Sequence, residues 1–120
     1  LRNEPITIYG DGEQTRDFIY VKDVVQANFL AAEHNVGGVF NVAWGQRITI
    51  KDLANKVVEL THSKSEIQYL DERPGDVRHS MADNQKIVRE LGFQATSDLE
   101  TGLAQTIGYF RQYLVMEVDD

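Results

Sequence analysis

The alternation of two periodicities along this chain constrains its fold more than any single residue does. Ile6-Thr7-Ile8-Tyr9 alternates and is rich in β-formers, and Gly10-Asp11-Gly12 then turns the chain. Asp17-Phe18-Ile19-Tyr20-Val21 predicts a second short strand. Asp23 stands where it would cap a helix running to about His34. That helix carries Val24, Val25, Ala27, Phe29, Leu30, Ala31 and Ala32. It is apolar around most of its circumference and is expected to be buried on more than one side.

Gly37-Gly38 ends the helix, and Val39-Phe40-Asn41-Val42-Ala43 reads as a short, fully buried strand of the parallel-sheet type. Thr49-Ile50-Lys51-Asp52 resembles a capping box and opens a helix to about Leu60. Glu66-Ile67-Gln68-Tyr69-Leu70 alternates as a strand should. Asp83 is expected to cap a short helix bearing Ile87, Val88 and Leu91, with Gly92 as a left-handed stop. Ser97-Asp98-Leu99-Glu100 opens a last helix whose stripe is Leu99, Leu103, Ile107, Phe110 and Leu114. The tail Glu117-Val118-Asp119-Asp120 reads as frayed.

The order β, β, α, β, α, β, α, α argues for an α/β fold. Only one strand is apolar enough to need cover on both faces, and one such strand cannot make a parallel sheet. Residues 1–120, read as a single domain, therefore look like the end of a larger α/β fold. The opening Leu1-Arg2-Asn3-Glu4-Pro5 reads as the middle of a longer chain, so a fragment is expected.

Charge and composition remove several classes of function. A net charge of −7 argues against general nucleic-acid binding, which needs a basic footprint. No apolar run approaches the length of a membrane span. Cysteine is absent, so disulfides and thiolate catalysis are excluded. His34, His62 and His79 are far apart, so no metal site is expected. Ser80 follows His79, but adjacency is not a catalytic geometry. Neither Tyr9 nor Tyr20 has a lysine four residues on, the spacing that would make a tyrosine a base. Gly10-Asp11-Gly12 lacks a third glycine and precedes a strand, so it fails as a dinucleotide fingerprint. No catalytic and no cofactor-binding residue is expected.

Positive residues in loops remain. Arg16 follows the Gly-Asp-Gly turn, and Arg73 and Arg78 flank Pro74-Gly75. Guanidinium groups grip phosphate oxygens in pairs, and a carboxylate such as Asp76 can accept from a ribose diol. Arg16, Arg73 and Asp76 could thus hold a nucleoside diphosphate. The same residues could instead form ion pairs, Arg16 with Asp17 and Arg73 with Asp76, and the residues alone leave both readings open.

A longer pattern bears on the choice. The run from Gly10 through Arg16-Asp17-Phe18-Ile19-Tyr20-Val21 to Asp23-Val24 resembles the G-x-G-x-Q-x-R-D-F-x-Y-V-x-D-V signature of extended short-chain dehydrogenases/reductases, the nucleotide-sugar epimerases and dehydratases. Phe40-Asn41-Val42-Ala43 with Gly45, Ile48-Thr49-Ile50 with Asp52-Leu53, Arg73-Pro74-Gly75-Asp76-Val77-Arg78, Ala82-Asp83, Leu91-Gly92-Phe93 and Leu99-Glu100 continue it in order. The resemblance is strongest to UDP-glucose and UDP-N-acetylglucosamine 4-epimerases.

The resemblance implies an NAD(P)-binding Rossmann-like fold of which this chain is the C-terminal, substrate-binding part, the N-terminal Rossmann core being missing. It implies Arg16 and Arg73 on the diphosphate of a UDP-sugar and Asp76 on its ribose. It implies NAD as cofactor of the intact parent, isomerase chemistry in carbohydrate metabolism, and a cytoplasmic setting. The family's Gly-x-x-Gly-x-x-Gly turn and Tyr-x-x-x-Lys pair are not in these 120 residues. The chain alone is therefore expected to bind UDP-sugars weakly, to bind no NAD and to be inactive. The alternatives are a non-catalytic nucleotide-binding or oligomerising module, or the same region of a dehydratase, decarboxylase or reductase. A missing Rossmann domain, or self-association, is expected to cover its apolar face.

Overall fold

The computed structural model describes residues 1–116, with side chains through residue 113. In chain order the elements are β1 (Ile6–Tyr9), β2 (Thr15–Arg16), α1 (Val21–Glu33), β3 (Ile48–Thr49), α2 (Ile50–Thr61), β4 (Ile67–Leu70), α3 (Gln85–Leu91) and α4 (Leu99–Met116). The fold is mixed α/β, as expected. β1 and β4 pair in parallel, Ile6 opposite Ile67 and Tyr9 opposite Leu70. β2 and β3 pair antiparallel, Thr15 opposite Thr49. The predicted tail 117–120 and the side chain of Leu114 lie outside the described residues.

Helix ends follow local chemistry. Thr49 caps α2, its hydroxyl accepting from the Asp52 amide at 3.0 Å. Gly92 ends α3 at φ +66°, where a left-handed residue is needed. α4 is capped by Asp98, whose carboxylate accepts from the Thr101 amide at 2.7 Å. The capping acceptor is thus one residue later than Ser97.

Further sequence expectations need correction. The second strand lies at Thr15–Arg16, not at 17–21. Asp17 is drawn elsewhere: its carboxylate accepts the amides of Trp44 and Gly45, both at 2.9 Å. Residues 39–43 form no strand, and Val39 is 85% exposed. Side chains satisfy this backbone instead, Lys86 donating to the Val39 carbonyl at 2.9 Å. Phe40 and Val42 pack sideways onto the core. Finally, Asp23 does not cap α1, which begins at Val21, and only Asp23 and Ala27 of that helix are buried. Val21, Val25 and Phe29 stand exposed on it.

The core cluster is Ala27, Ile87, Leu91 and Phe93, with Phe93 fully buried. Burying one such aromatic contributes about 2–3 kcal/mol. Asp23 joins it to the start of α4. Its carboxylate accepts from the Thr96 amide at 2.9 Å, the Thr96 hydroxyl at 2.8 Å and the Ser97 amide at 3.2 Å. Among the described residues no helix is long and apolar enough to cross a membrane.

Candidate nucleotide-binding cleft

The cleft is built from two loops and the short strand between them. β1 runs into Gly10 and Gly12, at φ +82° and +79°. A Cβ at Gly12 would lie a tight 3.0 Å from the Lys51 Cβ, and at φ +79° an L side chain would be strained, so glycine suits this approach of the loop to α2. The Gly12 carbonyl accepts from the Lys51 amide at 3.0 Å, and the Gly10 amide donates to Leu70 at 2.9 Å. The loop is therefore seated on the ends of β4 and α2, with Asp11 at its tip.

The second loop follows β4. The Asp76 amide donates to the Arg73 carbonyl at 3.2 Å, and Gly75 sits at φ +82°. Proline second and a positive-φ glycine third are the pattern of a type II turn. The turn sets Arg73 and Asp76 at its two ends. The Arg73 guanidinium lies over the Tyr9 ring, 3.6 Å from its centroid, a cation–π contact. Arg73, Pro74 and Asp76 line a cleft of about 350 Å³ with Thr7, Tyr9 and Gln14. Gln14 is buried and donates to the Tyr9 carbonyl at 2.8 Å.

Arg16 joins this group through Asp76, its Nη2 donating to Oδ1 at 2.7 Å, while Nη1 donates to the Thr15 carbonyl at 2.8 Å. The ion pairs that adjacency suggested thus give way to others. Arg16 pairs with Asp76 rather than Asp17, and Arg73 turns onto Tyr9.

Sequence reasoning gave Arg78, His79 and Asp11 no role. Arg78 donates two bonds to Asp11, at 2.7 and 2.9 Å. Those bonds, with one from the Glu13 amide, pull the Asp11 carboxyl down to about 2. Asp11 in turn holds Arg78 more firmly protonated. His79 Nδ1 and the Thr15 hydroxyl lie 2.9 Å apart. An acid inside Gly-x-Gly was the only hint, and it named no partner.

A larger cleft of about 600 Å³ lies between residues 1–6, α2 and α4, against Tyr109, Phe110 and Tyr113. Its walls are mainly apolar, and Arg16, Arg73 and Arg78 are not among the residues that line it. Among the described residues no three His, Asp or Glu side chains converge as metal ligands. The Gly10-Asp11-Gly12 loop is not built as a dinucleotide-binding turn. The Gly-x-Gly loop leads into β2, not into a helix N-terminus, and its acid is engaged by Arg78.

Short strands, intervening helices and a polar turn carrying a cleft make an α/β chain, and its solved neighbours include epimerases of the short-chain dehydrogenase/reductase fold. Residues 1–106 match the family described as GDP-mannose 4,6 dehydratase, and the chain belongs to that NAD-dependent epimerase/dehydratase family. It is 42% identical to a UDP-glucose 4-epimerase of Thermotoga maritima solved with UDP-glucose, TM-score 0.89, covering 94% of this chain and 37% of that one. It is 29% identical to a UDP-glucuronic acid 4-epimerase of Bacillus cereus solved with UDP-glucuronic acid and NAD, TM-score 0.84, covering 92% and 36%. It is 37% identical over 114 residues to UDP-glucuronic acid decarboxylase 1 of Xenopus tropicalis, covering 95% and 27%. The chain thus spans about a third of these relatives' length or less.

Proposed function

We propose that this chain supplies the diphosphate and ribose clamp of a longer, cytoplasmic, NAD-dependent nucleotide-sugar epimerase or dehydratase. Arg16 and Arg73 hold the phosphates of a UDP-sugar, and Asp76 accepts from the ribose hydroxyls. The observation that carries this reading is the meeting of Arg16 with Asp76 at 2.7 Å, on the turn that also bears Arg73. Local convergence of guanidinium groups attracts a diphosphate even on a chain of net charge −7. The relatives solved with UDP-sugars support the choice of ligand.

The similar proteins include epimerases and a decarboxylase, which fits a clamp used by more than one reaction. What the bound sugar then undergoes depends on residues outside these 120. With no Tyr-x-x-x-Lys pair and no dinucleotide-binding turn, the chain alone performs no turnover.

Titration of UDP into the labelled chain, followed by backbone amide shifts, tests the clamp. Dissociation constants on the order of 0.1–10 mM are expected for part of a site. The shifts should cluster at residues 15–18 and 73–76 and disappear in Arg16→Ala and Arg73→Ala. NAD-dependent turnover of a UDP-sugar by the purified chain would overturn the claim of inactivity.

A further inference from the structure

The loop carrying Arg73 and Asp76 has no regular structure between β4 and α3, yet it sits in one place against β2. Besides the Arg16–Asp76 pair and Arg73 on Tyr9, four contacts hold it there. The Thr15 amide donates to the Arg78 carbonyl at 2.9 Å, and the Ser80 amide donates to the Thr15 carbonyl at 3.1 Å. The Thr15 hydroxyl meets His79 at 2.9 Å. Arg78 grips Asp11 through two bonds, and Asp11 is itself preset by the Glu13 amide at 2.9 Å. Thr15 is the neighbour of Arg16, and Arg78 lies two residues beyond Asp76.

We infer that Asp11 and Arg78 are positioning residues: their paired bonds hold the 73–80 loop in register with β2, so that Arg16, Arg73 and Asp76 face one ligand. This rests on the clamp reading. It also gives the Gly10-Asp11-Gly12 turn a task, since two positive-φ glycines hold one carboxylate at a fixed point. Both partners are about half exposed, so the pair adds little to global stability. Its effect falls on the fraction of molecules whose loop is ready to bind.

The test uses the 120-residue chain with UDP as probe. Asp11→Ala and Arg78→Ala are each expected to weaken UDP binding about two- to fivefold, the range of a well-made exposed ion pair. The double variant should be no weaker than either single one. Arg78→Lys, which keeps the charge but not the fork, should fall between wild type and Arg78→Ala. Hydrogen exchange at the Thr15 and Ser80 amides should quicken in the alanine variants, while that of α2 and α3 stays unchanged.

Weaker binding in Arg78→Ala with unchanged or tighter binding in Asp11→Ala would make Arg78 a direct phosphate contact and overturn the inference. Unchanged binding in both would overturn it too. If wild type does not bind UDP, or Arg16→Ala binds as well as wild type, the clamp reading fails by itself. Exchange at Thr15 and Ser80 then still decides the lacing: faster exchange in Asp11→Ala supports it, and unchanged exchange overturns it.

Discussion

Asp76 holds the guanidinium of Arg16 at 2.7 Å across a separation of 60 residues. Each is only part-exposed, Arg16 at 25% and Asp76 at 34% of the side chain, so the pair is partly shielded from solvent. On the proposed clamp, a phosphate arriving at Arg16 would compete with this carboxylate, whereas a ribose arriving at Asp76 would recruit it. The one ion pair would then set opposite demands on the two halves of a nucleotide.

Asp76→Ala separates those demands. Inorganic pyrophosphate, which has no ribose, is expected to bind about two- to fivefold tighter once the competing carboxylate is gone. UDP gains at Arg16 but loses its ribose acceptor, so its affinity should fall relative to pyrophosphate. Parallel titrations of both ligands check this. Equal weakening of both would mean that Asp76 only shapes the turn.

Asp11 offers a spectroscopic check. Chiefly the bonds from Arg78, then the Glu13 amide, bring its carboxyl from 3.8 to about 2. A lowered folded value means that the ionised form favours the folded loop. That contribution is complete above about 3.8 and is lost as pH falls through about 2. Carboxyl carbon shifts should show a midpoint near 2 in wild type. Arg78→Ala should return it toward 3.8, leaving only the smaller pull of the Glu13 amide.

Asp23 should matter to stability rather than to binding. Burial alone would raise its carboxyl, but the bonds from Thr96 and Ser97 outweigh burial and leave it below 3.8. Asp23→Ala strands two backbone donors and one hydroxyl, and is expected to cost about 2–4 kcal/mol in urea unfolding near neutral pH. Since the folded value is lowered, this stabilisation is present above the unfolded value of 3.8 and lost as pH falls through the folded one. The gap between wild type and variant should narrow in strong acid.

Features set by neighbouring residues were legible in the sequence. Proline and glycine inside Arg73-Pro74-Gly75-Asp76 specify a turn, and the structure forms it. Thr49 and Gly92 mark helix ends because capping needs only adjacent groups. Strands β1 and β4 came from two alternating runs, but their parallel pairing did not. What failed depends on distant partners. Asp23 looks like a cap but turns inward to Thr96, 73 residues on. The apolar run at 39–43 suggests a strand, yet no described strand pairs with it and Lys86 takes the Val39 carbonyl. Asp11 and Arg78 are 67 residues apart, and no local pattern couples them.

Helix α1 bears the last expectation. Val21, Val25 and Phe29 repeat every four residues and form one stripe, 63%, 46% and 62% exposed. An aromatic and two branched side chains in a row are a costly surface to leave in water, since each fully buried side chain of this kind contributes about 1.5–3 kcal/mol. Association of two chains through this stripe would recover part of that. Light scattering is expected to show mass rising with concentration in the high micromolar range. Phe29→Ser should suppress the rise while leaving UDP binding unchanged, because none of the stripe lines the cleft that carries Arg73 and Asp76. A monomer at every concentration would mean that gains from this stripe fall short of the translational and rotational freedom that pairing removes.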